Sequence, residues 1–303
     1  GPHGRVSAGA SGLSRPLLLL LGTGATLGLN FPIGKLAMAA NVNPALWAAM
    51  ISIGAGLALL IIVKLAEQES AVAATAQFAF ISGFLSYVAP NFLTFLVIPV
   101  IGSGLTAIMF ALSPVVTALL SLVLRVRPPS TLGIAGIAVG LAGALIIILS
   151  RSTDFRANSD VWILAALLIP IFLGIGNVYR TMAWPQGASP RRLASFTNLA
   201  AVPLLLLAAL AQTGTLNLAP LANILGLAAL QILVSTIMFL MFFRLQQIGG
   251  PTYLSQIGYV AAAVGVVIGV VYLDETYPVN VWIGAGVVAA GIALSTLEQF
   301  QRS

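Results

Sequence analysis

Residues 131–150 read TLGIAGIAVGLAGALIIILS, a stretch without a single charge. As a helix rising 1.5 Å per residue it would be ~30 Å long, the thickness of a bilayer's hydrocarbon core. Its glycines carry a second message. Gly136 and Gly143, seven residues apart, recur as Gly284 and Gly291 at an offset of 148. A spanning helix that returns half a chain later predicts a membrane fold built from two copies.

The composition agrees. Of 303 residues 59% are hydrophobic and 7% are charged, against roughly 25% charged in a soluble domain. So few charges cannot cover a surface facing water. The apolar residues form long blocks rather than the short alternating runs of a β-barrel, so α-helices must satisfy the backbone in lipid. The net charge is +6, but the basic residues sit between apolar blocks and read as topology signals rather than nucleic-acid contacts. The absence of cysteine excludes disulfides, thiolate metal sites and a cysteine nucleophile. Gly1, Pro2 and His3 read as the remnant of a cleaved tag. Arg15, the leucine run after it and Ala37-Met38-Ala39 resemble a secretory signal, yet the block is too long and carries Asn30, Pro32 and Lys35. A retained first span is expected instead.

Blocks of about 20 apolar residues between charges and turn formers give ten expected spans, at 16–37, 44–64, 72–96, 104–124, 130–150, 160–182, 192–212, 221–245, 250–273 and 278–298. The expectation is an all-α membrane protein with ten transmembrane helices in two five-helix repeats, 16–150 and 151–303, after a tail at 1–15. With the N-terminus inside, Arg5, Arg15, Lys64, Arg125, Arg127, Arg180, Arg191, Arg192, Arg244 and Arg302 fall on the cytoplasmic side. Only Lys35, Arg151 and Arg156 fall outside. That bias places both termini in the cytoplasm.

Five helices per copy is an odd number, so the second copy inserts upside down. The turns agree: Leu124-Arg125-Val126-Arg127 is basic and expected inside, whereas its counterpart Leu273-Asp274-Glu275-Thr276 is acidic and expected outside. Asn30 of span 1 corresponds to Asn177 of span 6 in the same way. Inverted repeats of this kind are a transporter signature. Close packing of small faces, as in Gly136-x-x-x-Gly140 and Gly265-x-x-x-Gly269, is compatible with it.

Chemistry has little to work with inside the membrane. The one histidine is His3, and the seven acids, Glu67, Glu69, Asp154, Asp160, Asp274, Glu275 and Glu298, map to loops or span ends. Intramembrane catalysis needs paired aspartates, a Ser/His pair or a metal cluster, so no enzyme, metal or cofactor is expected. The candidate substrate-binding residues are the polar groups within the spans: Asn30, Tyr87, Asn91, Asn177, Gln231, Ser235, Gln256 and Tyr259. Tyr87 with Asn91, Gln231 with Ser235, and Gln256 with Tyr259 share a helix face by spacing, as does Asn177 with Arg180, so each pair can face one cavity. Amides and hydroxyls bond both ends of a zwitterion without trapping either. Each of these groups could equally bridge two helices. Lys35 and Arg180 lie near span ends and are expected to snorkel. Pro32, Pro90 and Pro170 are the candidate hinges, because proline frees a helix carbonyl; Pro114 and Pro203 also fall inside spans. Trp47, Trp162, Trp184, Trp282 and Tyr277 fall near span ends, as an aromatic belt would.

Two segments carry a family resemblance. Ser113-Pro114-Val115-Val116 through Leu122-Val123-Leu124, with the polar turn and glycine-spaced helix that follow, and Tyr272-Leu273-Asp274-Glu275-Thr276 with Gly284 to Leu294, resemble the drug/metabolite transporter superfamily in its ten-helix form with two EamA-type repeats. Arg127 stands where that pattern often has an acid. Gly176-Asn177-Val178-Tyr179-Arg180-Thr181 with Trp184-Pro185 resembles the YddG-type amino-acid exporters. The resemblance implies a secondary transporter of the bacterial inner membrane, working as a monomer, that exports small metabolites and above all amino acids, aromatic ones included. Its partners are then a small-molecule substrate and membrane lipid, with no nucleic acid. The alternative within the superfamily is multidrug or lipophilic-cation efflux. The small multidrug antiporters of the superfamily carry a membrane-embedded glutamate, which is missing here, so transport without obligatory proton exchange is expected.

Overall fold

The structure, a computed structural model, describes residues 6–66, 72–151, 160–272 and 276–302. Arg5, Glu67, Glu69, Asp154, Arg156 and the turn residues Leu273, Asp274 and Glu275 lie outside them. In chain order the helices are α1 (Val6–Ala39), α2 (Pro44–Ala66), α3 (Val72–Gly83), α4 (Ala89–Ala111), α5 (Ser113–Val123), α6 (Thr131–Arg151), α7 (Asp160–Met182), α8 (Pro190–Thr213), α9 (Ala219–Ala222), α10 (Leu225–Ser255), α11 (Ile257–Tyr272) and α12 (Val279–Arg302). A π-helical turn, Phe84–Val88, joins α3 to α4.

Polarity is inverted relative to a soluble protein. Leu18, Ile61, Leu119, Leu149, Leu164 and Leu233 are exposed, while Thr23, Ser52, Ser82, Thr117, Asn198 and Gln231 are buried. Only a solvent as apolar as leucine makes that arrangement stable. Eight of the described helical segments are long and apolar enough to cross a membrane, and Ile257–Tyr272 is a shorter apolar helix.

The expected spans are helical, but two expected breaks differ. Helix runs through 97–103 in α4, and the regular helix is interrupted at Leu112 instead, which stays in the right-handed region at φ −78°, ψ −12°, with Pro114 opening α5. Proline is favoured in a first turn because its missing amide hydrogen has no intrahelical partner there. Pro90 likewise opens α4, directly after the π turn, whereas Pro32, Pro170 and Pro203 sit inside helices. Within α10, Gly250 adopts φ 78°, ψ 178°, a conformation side chains avoid, and ends one helix while Pro251 starts the next. Arg127, in the place of the family's acid, serves this turn: its Nη2 donates to Ile248 O at 3.0 Å and its Nη1 to Gln247 O at 3.4 Å. Burial first, and then the neighbouring Arg302, hold the Arg127 guanidinium below its ordinary pKa.

Helix pairing shows that the copies are inverted. Gly136 of α6 meets Gly291 of α12, and Gly143 meets Gly284 and Val288, so residue numbers rise on one helix as they fall on the other. The equivalent helices of the two copies are therefore antiparallel and touch backbone to backbone, where a side chain would not fit. The α2–α8 pair repeats this: Gly56 lies on Leu199 and accepts the Ser195 hydroxyl at 2.8 Å, while Ala45 and Leu46 meet Ala209. Around these two axial pairs, α1 lies against α10 and α11, and its counterpart α7 lies against α4 and α5. Gly24 and Gly28 allow α1 to approach Val260, Ala261 and Val264 of α11. A Cβ on Gly265, by contrast, would meet among the described residues only Arg151, at 3.5 Å from a terminal nitrogen.

Candidate functional site

A proline cannot donate to the carbonyl four residues back, so Pro90 leaves Ser86 O without its helical partner. The chain responds with the π turn at Phe84–Val88, and Asn91 Nδ2 donates to Tyr87 O at 2.6 Å. The turn aims Ser86 and Tyr87 at α7. Gly176 of α7 makes room: a Cβ there would collide with Ser86 Oγ and stand 3.4 Å from Arg180 Nη1. Gly174 does the same against α5, where a Cβ would lie 2.7 Å from Val116.

Into this space α7 projects Asn177 and Arg180, one helical turn apart. Arg180 Nη2 donates to Asn177 Oδ1 at 2.5 Å, its Nε to Gln246 Oε1 of α10 at 3.0 Å, and its Nη1 to Ser86 Oγ. Asn177 Nδ2 donates to Thr117 Oγ1 of α5 at 3.1 Å. Gln246 Nε2 donates to Asn177 O at 3.0 Å and Thr181 Oγ1 at 2.7 Å. The guanidinium carbon lies 4.9 Å from the Phe242 ring centroid. Snorkelling was expected of Arg180, but its side chain is 1% exposed, because α5, the π turn and α10 close over it. Lys35 is exposed.

A second constellation lies nearer the start of α10. Gln231 Nε2 donates to Asn30 Oδ1 and to Ser235 Oγ, each at 2.8 Å, and Asn30 Nδ2 reaches Met238 Sδ at 3.4 Å. Fifteen residues separate Gln231 from Gln246 on one helix, about 22 Å. An aromatic layer fills the interval: Tyr87 packs on Phe239 at 5.3 Å between ring centroids, Phe242 on Phe243 at 5.4 Å, and Phe78 on Tyr179 at 5.7 Å. Trp184 joins this layer against Phe78 and Phe243, and Trp47 is buried, so neither stands in a lipid-facing belt.

The eight expected polar residues thus occupy several places rather than one cavity. Asn30, Gln231 and Ser235 form one constellation, Asn177 belongs to the other, and Tyr87 spans the layer between. Asn91 is exposed and spends its amide on the π turn. Gln256 and Tyr259 face the axial pair: Ser295 Oγ of α12 donates to Gln256 Oε1 at 2.8 Å, and the Tyr259 ring covers Gly140 of α6. Spacing on one helix shows which residues share a face but not which neighbour that face meets. Gln246, Thr117, Ser86 and Thr181 were missed; the sequence signal for Gln246 was an amide pair, Gln246-Gln247, at the end of an apolar run.

Two further features frame the site. A cavity of about 390 Å³ opens where α1 and α8 end, lined by Asn41, Asn43, Thr213 and Asn217 among others. An apolar cluster of Ile33, Ala37, Val42, Trp47 and Ala228 adjoins it on α1, α2 and α10. At the start of α6, Glu298 of α12 is 5% exposed, accepts from Ser130 N at 2.5 Å and pairs with Arg302 at 2.9 Å.

Residues 14–149 and 160–297 each match the EamA-like transporter family, one copy per half. The chain belongs to the EamA-like transporter family. It is therefore a membrane transporter of the drug/metabolite superfamily. A solved structure titled "Crystal structure of protein" has the same fold, with a TM-score of 0.70 at 17% identity over 92% of this chain and 98% of the other. The comparison with curated proteins finds no match. In EamA terms, the two constellations hang on equivalent helices, α1 and α7, of the two repeats.

Proposed function

We propose that this chain is a secondary transporter that exports small metabolites, amino acids including aromatic ones first, across the bacterial inner membrane by alternating access between its repeats. The observation that carries this reading is the pair of buried polar constellations, Asn30–Gln231–Ser235 and Asn177–Arg180–Gln246, held by equivalent helices of opposite orientation. Rocking one repeat against the other about the α2–α8 and α6–α12 contacts uncovers one constellation while the other stays covered. The aromatic layer between them offers an apolar face to a side chain, and the amides and hydroxyls offer bonds to its polar end. Pro32 and Pro170 lie inside the helices that carry Asn30 and Asn177, and Pro90 follows directly on the π turn that carries Tyr87, so each is a candidate hinge. The bias of basic residues puts both termini in the cytoplasm, with Arg180 toward that side, and one chain carries a complete path.

Lipophilic-cation efflux is the weaker reading, because a cation entering the inner constellation would meet the like charge of Arg180. The test is efflux of a panel of radiolabelled amino acids from proteoliposomes, with and without an imposed pH gradient. Saturable efflux at the same initial rate in both conditions is expected. No amino-acid flux would overturn the substrate, and flux that requires the gradient would overturn the mechanism.

A further inference from the structure

Arg180 is among the most buried large side chains of the protein, and among the described residues no carboxylate pairs with it. A guanidinium taken out of water is costly unless a countercharge or a complete set of hydrogen bonds offsets the loss. Here the set is incomplete. Of the five N–H donors of an arginine, three are taken, by Gln246, Ser86 and Asn177. One N–H on each terminal nitrogen has no acceptor among the described residues. The Tyr87 hydroxyl, also buried, has no hydrogen-bond partner among the described residues and lies within electrostatic reach of the same guanidinium.

We propose that the Arg180 fork, together with the Tyr87 hydroxyl, recognises the carboxylate of the transported molecule, so that the substrate class is carboxylic acids rather than amines or neutral solutes. The inference rests on the transporter reading above. Two parallel N–H···O bonds from the terminal nitrogens match the spacing of carboxylate oxygens, and a phenol adds a third donor. The fork is held in place before a ligand arrives: Asn177 is fixed by Thr117, Gln246 by Thr181 and Asn177 O, and Ser86 by the approach that Gly176 permits. A ligand anion supplies the countercharge that the fold leaves out, and the adjoining Phe242 and Phe239 rings take its apolar part.

The experiment measures flux into proteoliposomes of four compounds that share one aromatic side chain: the amino acid, its carboxamide, the decarboxylated amine and the acid lacking the amino group. Wild-type protein is expected to carry both acids in mutual competition, with amide and amine at least about tenfold slower. Arg180→Gln is expected to lower acid flux about 10- to 100-fold and to erase the preference of acid over amide. Tyr87→Phe is expected to raise KM for the acids several-fold, and by more than for the amide. A bracing role alone for Arg180 would lower all four fluxes together without changing their ratio. Amide and amine carried by the wild type as fast as the acids, or an acid preference that survives Arg180→Gln, overturns the proposal. Should Arg180→Gln not assemble, the wild-type set and Tyr87→Phe decide. Flux of the acid lacking the amino group without flux of the amino acid would keep this inference and sink the amino-acid reading; equal flux of amino acid and amide would do the reverse.

Discussion

The Cβ that Gly143 lacks would stand 2.7 Å from the carbonyl oxygen of Gly284, and the Cβ that Gly284 lacks would stand 3.0 Å from the carbonyl oxygen of Gly143. Under the repeat offset this pair exchanges with Gly291 and Gly136, which meet in the same way. Gly143→Val or Gly284→Val therefore wedges α6 from α12 and is expected to cost about 1–3 kcal/mol. Gly286→Val, where a Cβ would meet nothing within 4 Å, serves as control. Thermal unfolding in detergent reads the difference, and equal melting of all three variants would contradict the contact.

Glu298 presents a carboxylate to the Ser130 amide at the N-terminus of α6 and holds Arg302, while Gly133 leaves it space. Replacement by alanine strands both partners and is expected to cost about 1–3 kcal/mol. Glu298→Gln keeps an acceptor for the amide and should lose less. Chemical denaturation of the two variants in detergent, with no loss in either, would show that the cap is idle.

At Gly176, alanine places a methyl group against Ser86 Oγ and forces the π turn away from α7. Substrate flux is expected to fall at least about tenfold because Arg180 loses one of its anchors. Adding Ser86→Ala should relieve the crowding, measured as recovered melting temperature, without restoring flux.

Tyr87→Phe removes a buried hydroxyl that has no hydrogen-bond partner among the described residues. Stability should stay level or rise by up to about 1 kcal/mol, since an unsatisfied polar group is lost. Acid flux falls in the same variant. A drop in melting temperature would mean that the hydroxyl is satisfied after all.

Because the chain has no cysteine, single cysteines report its orientation directly. Gln186→Cys and Thr215→Cys replace exposed residues at opposite ends of α8. In intact cells a membrane-impermeant maleimide is expected to label Thr215→Cys and to spare Gln186→Cys. The opposite pattern would invert the proposed topology.

Much of the fold was legible because lipid leaves the backbone few choices: apolar blocks of spanning length must be helices, and an odd number per copy must invert the second. The glycines at 136, 143, 284 and 291 announced the repeat, and the structure packs them against one another. Breaks were less legible. Span 3 runs on as helix past 97–103 although Pro99 and Gly102 stand there, while Pro114 moved the break to Leu112 and Gly250 placed one inside α10. For the site, Gln231 with Ser235 and Asn177 with Arg180 were correct neighbours by helical spacing. Their partners Asn30, Thr117, Ser86 and Gln246 come from other helices, and no periodicity within one helix reports them.

By itself the sequence determined that the chain lives in lipid, that it crosses repeatedly as helices, and that two copies face opposite ways, because these follow from hydropathy, length and parity. Only the tertiary structure decided that Arg180 is sealed inside rather than reaching for water, that Glu298 caps a helix of the other repeat, and that Gln256 and Tyr259 face the axial pair. The physical reason is that a helix's hydropathy sets its solvent, whereas the worth of each polar group depends on which side chains, far away in the chain, close over it.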